Sequence, residues 1–170
     1  MRIEIGAGTK GADGYLHVDA VEKAGVDVVD DGRYLRTFDD ACAEEIYSHW
    51  FFEHVAHHEI PTMLAAWMRV LRPGGFISCV TNHQEAHNRC LATGEITWKE
   101  WTDLTYGIAG KRDYEIWDIH KSGWTEELLR VTLEEAGYVD IEVEAQWRCR
   151  EADGRIKCPA LIARASKPSG

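Results

Sequence analysis

The chain has 170 residues, 45% of them hydrophobic, enough for one domain with a buried core and too few for two. Its 19 basic and 29 acidic side chains leave a formal net charge of -10, which argues against a partner bound through a phosphate backbone. An odd set of five cysteines without C-x-x-C spacing speaks against a disulfide framework or a thiolate zinc site, and no apolar run approaches the ~20 residues of a membrane span, so a soluble, cytoplasmic protein without a leader is expected.

In chain order, Ile3 and Ile5 flank Glu4 as in a strand, and Gly6, Gly8 and Gly11 follow at G-x-G-x-x-G spacing. Backbone without Cβ lets the chain turn sharply and lets a ligand approach closely, although the same spacing also suits an ordinary surface turn. Tyr15, Leu16 and Val18 lead into Asp19 as a second strand. The gap after Ile5 is too short for the usual crossover helix, so a loop is expected there. Asp19 also arrives too early for the ribose-binding acid of a dinucleotide fold, which lies about 20 residues beyond the glycines.

Val26, Val28 and Val29 form a third strand that ends in Asp30 and Asp31. A fourth runs from Ile46 to His49 and passes into an aromatic, histidine-rich turn. Three strands thus end near an acid or a histidine, as expected where an open α/β sheet binds its ligand. Pro61 opens a helix carrying Met63, Leu64, Trp67, Met68, Val70 and Leu71 at helical spacing, closed by Pro73-Gly74-Gly75, and FISCVTN is the fifth strand. No clean period holds from about 84 to 123, a segment read as a cap-like insertion over the ligand edge. Thr125 caps a helix with Leu128, Leu129, Leu133 and Ala136 facing inward. Tyr138 to Arg148 and Ile156 to Ala165 then form a closing hairpin about the Asp153-Gly154 turn.

These parts, in this order, resemble a class I S-adenosylmethionine-dependent methyltransferase of the small, type 11/12-like kind. The resemblance rests on Glu4-x-Gly6-x-Gly8, Asp19, Asp31, EIYSHWFFEHV leading through WMRVLRPGGFISCVTN, and HKSGWTEELLRVTLEEAGY. It implies an α/β, Rossmann-like fold: a mostly parallel seven-stranded sheet of order 3-2-1-4-5-7-6, last strand antiparallel, with helices on both faces. It implies S-adenosylmethionine as cofactor. Gly6, Ala7 and Gly8 would wrap its methionine part, Glu4 would face its amino group, Asp19 would hold the ribose hydroxyls, Asp31 would lie near adenine, and His49 would line the sulfonium end.

Two departures bear on the site. Lys10 stands where the family places a third glycine, and no helix precedes the first strand, so an open cofactor site is expected, completed by the insertion or by a second copy in a homodimer. The missing Asn/Asp-Pro-Pro-aromatic stretch argues against methylation of nucleic-acid bases. The expected acceptor is a small molecule or saccharide, methylated on oxygen, and the competing reading is a non-catalytic cofactor-binding module.

Candidate bases for a hydroxyl acceptor are His120, His83 and His54, with His120 favoured because the HKSGWT turn returns toward the sheet. For each, a structural or capping role is the competing reading. The groups His54, His57, His58 and His83, His87 lack a further ligand at suitable spacing, so no metal is expected. Trp98, Trp101 and Trp117 either stack on a planar acceptor or anchor the insertion.

Overall fold

Alternation of apolar and polar side chains drives seven strands into one sheet, and the computed structural model describes residues 1–9, 11–107 and 119–170 of the chain. The strands are β1 (Arg2–Ile5), β2 (Leu16–Asp19), β3 (Val28–Val29), β4 (Ala43–His49), β5 (Leu71–Asn82), β6 (Val139–Ala145) and β7 (Ala160–Ser166). They lie in the order 3-2-1-4-5-7-6. The first five are parallel, and β7 runs antiparallel to both β5 and β6. The carboxyl ends of β1 to β5 therefore share one edge, which fixes where a ligand can be gathered.

Pairing aligns side chains in rows, because successive residues point to opposite faces. One row joins Ile3, Ile46, Ile77 and Ala165, and another joins Val18, Ile5, Ser48, Cys79 and Ala163. Nearly all of these belong to a single buried cluster, which also takes Ile60, Met63, Leu64, Trp67 and Val70 from helix α1 (Ile60–Val70) and Leu129 and Leu133 from a helix spanning Glu126–Glu135.

The opposite rows are polar. His17, Glu4, Tyr47, Ser78, Arg164 and Glu142 follow one another across the sheet. Strand order and direction are as expected, and so is the helix-free connection after β1. Among the described residues, the β1–β2 and β2–β3 connections carry no helix, and this face is clad by its own side chains: Arg2 lies over the Tyr15 ring, Tyr15 packs on Tyr47, and Arg164 lies over Phe76.

The segment expected to lack periodic structure holds two helices, α2 (Gln84–Ala92) and α3 (Trp98–Tyr106), the second opened by a reciprocal capping box between Thr97 and Glu100. Their apolar side chains form a second cluster. In it Cys90 and Ile96 meet Cys149, flanked by Leu91, Trp101 and Leu104, so the helices lean on the turn after β6. Trp98 is 70% exposed, Trp101 packs on Trp98 and Tyr106, and Trp117 lies outside the described residues.

Two boundaries also move. Strand β5 begins at Leu71, which pairs with Ala43 across an irregularity, instead of at Phe76. In α4 (Glu126–Glu135), Leu129 and Leu133 are buried but Leu128 is 40% exposed, because three consecutive turns can bury only one stripe. Thr125 caps this helix as expected, its hydroxyl accepting from Leu128 N at 3.1 Å.

Candidate active site

At the shared carboxyl edge lies a cavity of about 210 Å³. Gly6 and Gly8 of the first turn, Asp19 at the end of β2, and Asp31 and Gly32 beyond β3 form part of its wall. Trp50, Phe51 and His54 after β4 and Lys121 from the returning chain form another part. Gly6 and Gly8 have φ of +72° and +58°, a region closed to most side chains, and a Cβ on Gly6 would stand 3.2 Å from the Phe51 ring. Gly32 is held against the core, where a Cβ would fall 2.3 Å from Ile5 Cγ2. The cavity floor is therefore bare backbone.

Asp19 is oriented by the turn it faces. Gly8 N donates to Oδ2 at 3.1 Å and Val21 N donates to Oδ1 at 3.0 Å, while Lys23 Nζ stands 4.0 Å from Oδ1. Each carboxylate oxygen keeps accepting capacity toward the cavity. Asp31 is more fully committed. Arg33 grips both its oxygens through Nε, and Nη2 donates to Oδ2 at 2.6 Å. Burial raises the Asp31 carboxyl pKa, but the bonds from Arg33 outweigh it and hold the pKa below the ordinary value. Arg33 also pairs with Glu59.

Glu4 and His49 do not line the cavity. Glu4 accepts from Ala12 N at 2.6 Å and lies 3.6 Å from His17 Nε2, so it ties down the far side of the glycine turn. His49 sits on the polar face between Tyr47 and Trp50, and burial lowers its pKa. Ala7 continues the turn, its N–H 3.3 Å from Val18 O. Lys10 lies outside the described residues.

The three candidate histidines divide. His83 is fully buried, its Nδ1 2.7 Å from Gln146 O and its ring against Trp147, away from the cavity. His54 and His120 come together, ring centres 5.0 Å apart. Between them and the core stands Glu53, fully buried, and ligand atoms of Glu53, His54 and His120 all lie within 4.8 Å of one another. Thr81 Oγ1 donates to Glu53 Oε2 at 2.9 Å, and burial pushes the carboxyl up to about 7.

Sequence reasoning missed Glu53, Lys121, Trp50 and Phe51. A signal existed: Glu53 directly precedes His54 in the turn after a strand that ends at the ligand edge. Trp50 takes φ of +56°, a costly conformation for a bulky residue, and this bend turns Phe51 and His54 toward the cavity.

Residues 5–79 match the family model described as methyltransferase domain. No curated protein matches the chain. Among solved structures, it is similar to a SAM-dependent methyltransferase from Archaeoglobus fulgidus, at 16% identity and a TM-score of 0.66 over 98% of this chain and 85% of that one. It is similar to another from Methanosarcina mazei, at 17% identity and 0.63 over 99% and 92%. A third, described as a possible histamine N-methyltransferase from Thermotoga maritima, shares 14% identity and 0.66 over 98% and 81%. At these identities the structural likeness speaks for the fold.

Proposed function

We propose that this chain, a class I S-adenosylmethionine-dependent methyltransferase by its fold and its family match over residues 5–79, transfers a methyl group to an oxygen of a small-molecule or saccharide acceptor. The observation that carries the reading is the cavity in which Gly6, Gly8 and Asp19 at one end meet His54 and Lys121 at the other.

The residues present fit the cofactor. Gly6 and Gly8 offer backbone that a Cβ would obstruct at Gly6, and the Asp19 carboxylate is held by two backbone N–H groups with lone pairs left for two vicinal hydroxyls. Asp31 is already saturated by Arg33, so it would shape the adenine end through Gly32 and Arg33 backbone more than through its own oxygens. When bound, S-adenosylmethionine supplies a methyl group on a sulfonium, which an acceptor oxygen takes by in-line displacement as the C–S bond breaks.

Holding the acceptor about 3 Å from that carbon, in line with the leaving sulfur, supplies much of the acceleration. His54 lines the cavity and packs against His120 behind it. The Nδ1 of His54 faces Ile119 O and that of His120 faces Thr105 O, each at 3.3 Å, so each Nδ1 is placed to donate to a carbonyl. No helix among the described residues is long and apolar enough to cross a membrane, in keeping with action in the cytoplasm.

Calorimetric titration with S-adenosylmethionine, S-adenosylhomocysteine and NAD tests the reading. The first two should bind saturably and NAD should not. Asp19→Asn keeps the shape but gives up a charged acceptor, and should weaken cofactor binding by about 1.5–3 kcal/mol, tenfold or more. NAD binding alone, or unchanged affinity in the variant, would overturn the assignment. Binding without turnover over a broad hydroxyl-acceptor panel would point to a regulatory module.

A further inference from the structure

We infer that Glu53, His54 and His120 form a binding site for one first-row divalent cation, of the zinc, cobalt or manganese class, beside the cavity that His54 lines. His54 and His120, 66 positions apart, bring two imidazoles to the Glu53 carboxylate, with one ligand atom of each within 4.8 Å of the others. The ligand atoms around a tetrahedral zinc, each about 2 Å from the metal, stand roughly 3.3 Å apart. Closing the trio takes side-chain rotation of an ångström or so.

Two further observations point to a cation. Glu53 is fully buried, and while Oε2 accepts from Thr81, Oε1 has no hydrogen-bond partner among the described residues. A buried carboxylate oxygen without a partner is costly, and a cation removes that cost. The second is the outer contact of each ring. Both histidines present Nδ1 to a backbone carbonyl, Ile119 O and Thr105 O, the kind of outer contact that orients a metal-binding imidazole.

Two nitrogens and one oxygen select a transition metal or zinc over magnesium or calcium, and three ligands among the described residues leave a position for a further one. Lys121, whose backbone N donates to Glu53 O at 2.6 Å, lines the same cavity as His54. The open position would hold an acceptor oxygen beside the methyl donor. That consequence rests on the proposed methyl transfer, whereas the metal site itself does not.

Chelator-treated protein titrated with Co²⁺ should develop visible absorption that saturates at one equivalent, and Zn²⁺ should displace it. Glu53→Gln, His54→Ala and His120→Ala should each weaken binding by at least about tenfold. His58→Ala, an exposed neighbour, should leave it unchanged. Circular dichroism identifies any variant that fails to fold, and His120, only half-buried on the returning chain, keeps the test decisive if Glu53→Gln does fail.

No saturable binding of Co²⁺, Zn²⁺ or Mn²⁺ by the wild type, or undiminished affinity in folded His120→Ala, would overturn the site. Metal-free protein titrated with S-adenosylhomocysteine separates the two claims. Cofactor binding without metal binding defeats only the metal site. Metal binding without cofactor binding upholds the site and defeats the methyl-transfer reading.

Discussion

Both ring nitrogens of His17 face carbonyls, Nε2 at 2.9 Å from Ala12 O and Nδ1 at 3.1 Å from Gly25 O, and only the imidazolium can donate to both. The bond to Ala12 is the largest cause of a pKa raised above 6.5, with Gly25, Glu4 and Asp27 adding to it against desolvation. The folded state therefore binds this proton more tightly than the unfolded chain. Its stabilisation is complete below the unfolded value near 6.5 and is lost as pH rises through the higher folded value. Replacing His17 with Gln should lower the melting temperature at pH 5.5 more than at pH 8.5, as followed by differential scanning calorimetry. An equal loss at both would show that the charge contributes nothing. At this scale the sequence exposes Asp19, Gly6 and Gly8, because a hydroxyl-binding carboxylate and an unobstructed backbone demand those residue types. It hides the double role of Glu4, which depends on a loop folding back to Ala12, and the meeting of Glu53 with His120, which depends on tertiary structure alone.

Helix α1 connects core packing to the cavity through one bond, from Trp67 Nε1 to Gly32 O at 2.7 Å, in fully buried surroundings. The Trp67 ring also packs on Phe51 and edge-on against Phe52, so one side chain braces two parts of the cavity wall. Trp67→Phe removes the donor and strands the carbonyl. It should cost about 1–3 kcal/mol or more in urea unfolding, and should also weaken S-adenosylhomocysteine binding by releasing Gly32. Lost stability with unaltered binding would show that the brace does not reach the site. Both α1 and α4 are legible in sequence, since a Pro or Thr start precedes a stripe that meets the sheet. Helices α2 and α3 are harder to read. Each has nine residues, and their apolar positions meet each other and the turn around Cys149, not the sheet, so no long stripe is needed. The Thr97-x-x-Glu100 box was nonetheless a readable start signal.

Across the whole molecule, strand order follows from where the apolar runs and ligand-edge acids fall, and this much the chain displays openly. The uncovered face was legible too. Parallel strands roofed on both sides read as continuous apolar runs, whereas β1, β2 and β4 alternate, with Glu4, His17, Glu45 and Tyr47 on the outward side. Loss of crossover helices on that side removes support from the glycine turn, and the Glu4–Ala12 and His17–Ala12 bonds take over part of the task. The cavity wall draws on β1, β2, and the segments after β3 and β4, together with Lys121, so a ligand filling it links most of the sheet's parallel half. Such a ligand stabilises the folded state by about 2.7 kcal/mol at a hundred times its Kd. For a chain of this length that amounts to roughly 5–11 °C in melting temperature. S-adenosylhomocysteine should produce a shift of this size, rising with the logarithm of its concentration, and Asp19→Asn should move the curve to about tenfold higher ligand or beyond. Because any ligand that binds only the folded chain gives this shift wherever it sits, the location is read from the variant: a curve left unmoved by Asp19→Asn would show that the cavity at the strand ends is not its site.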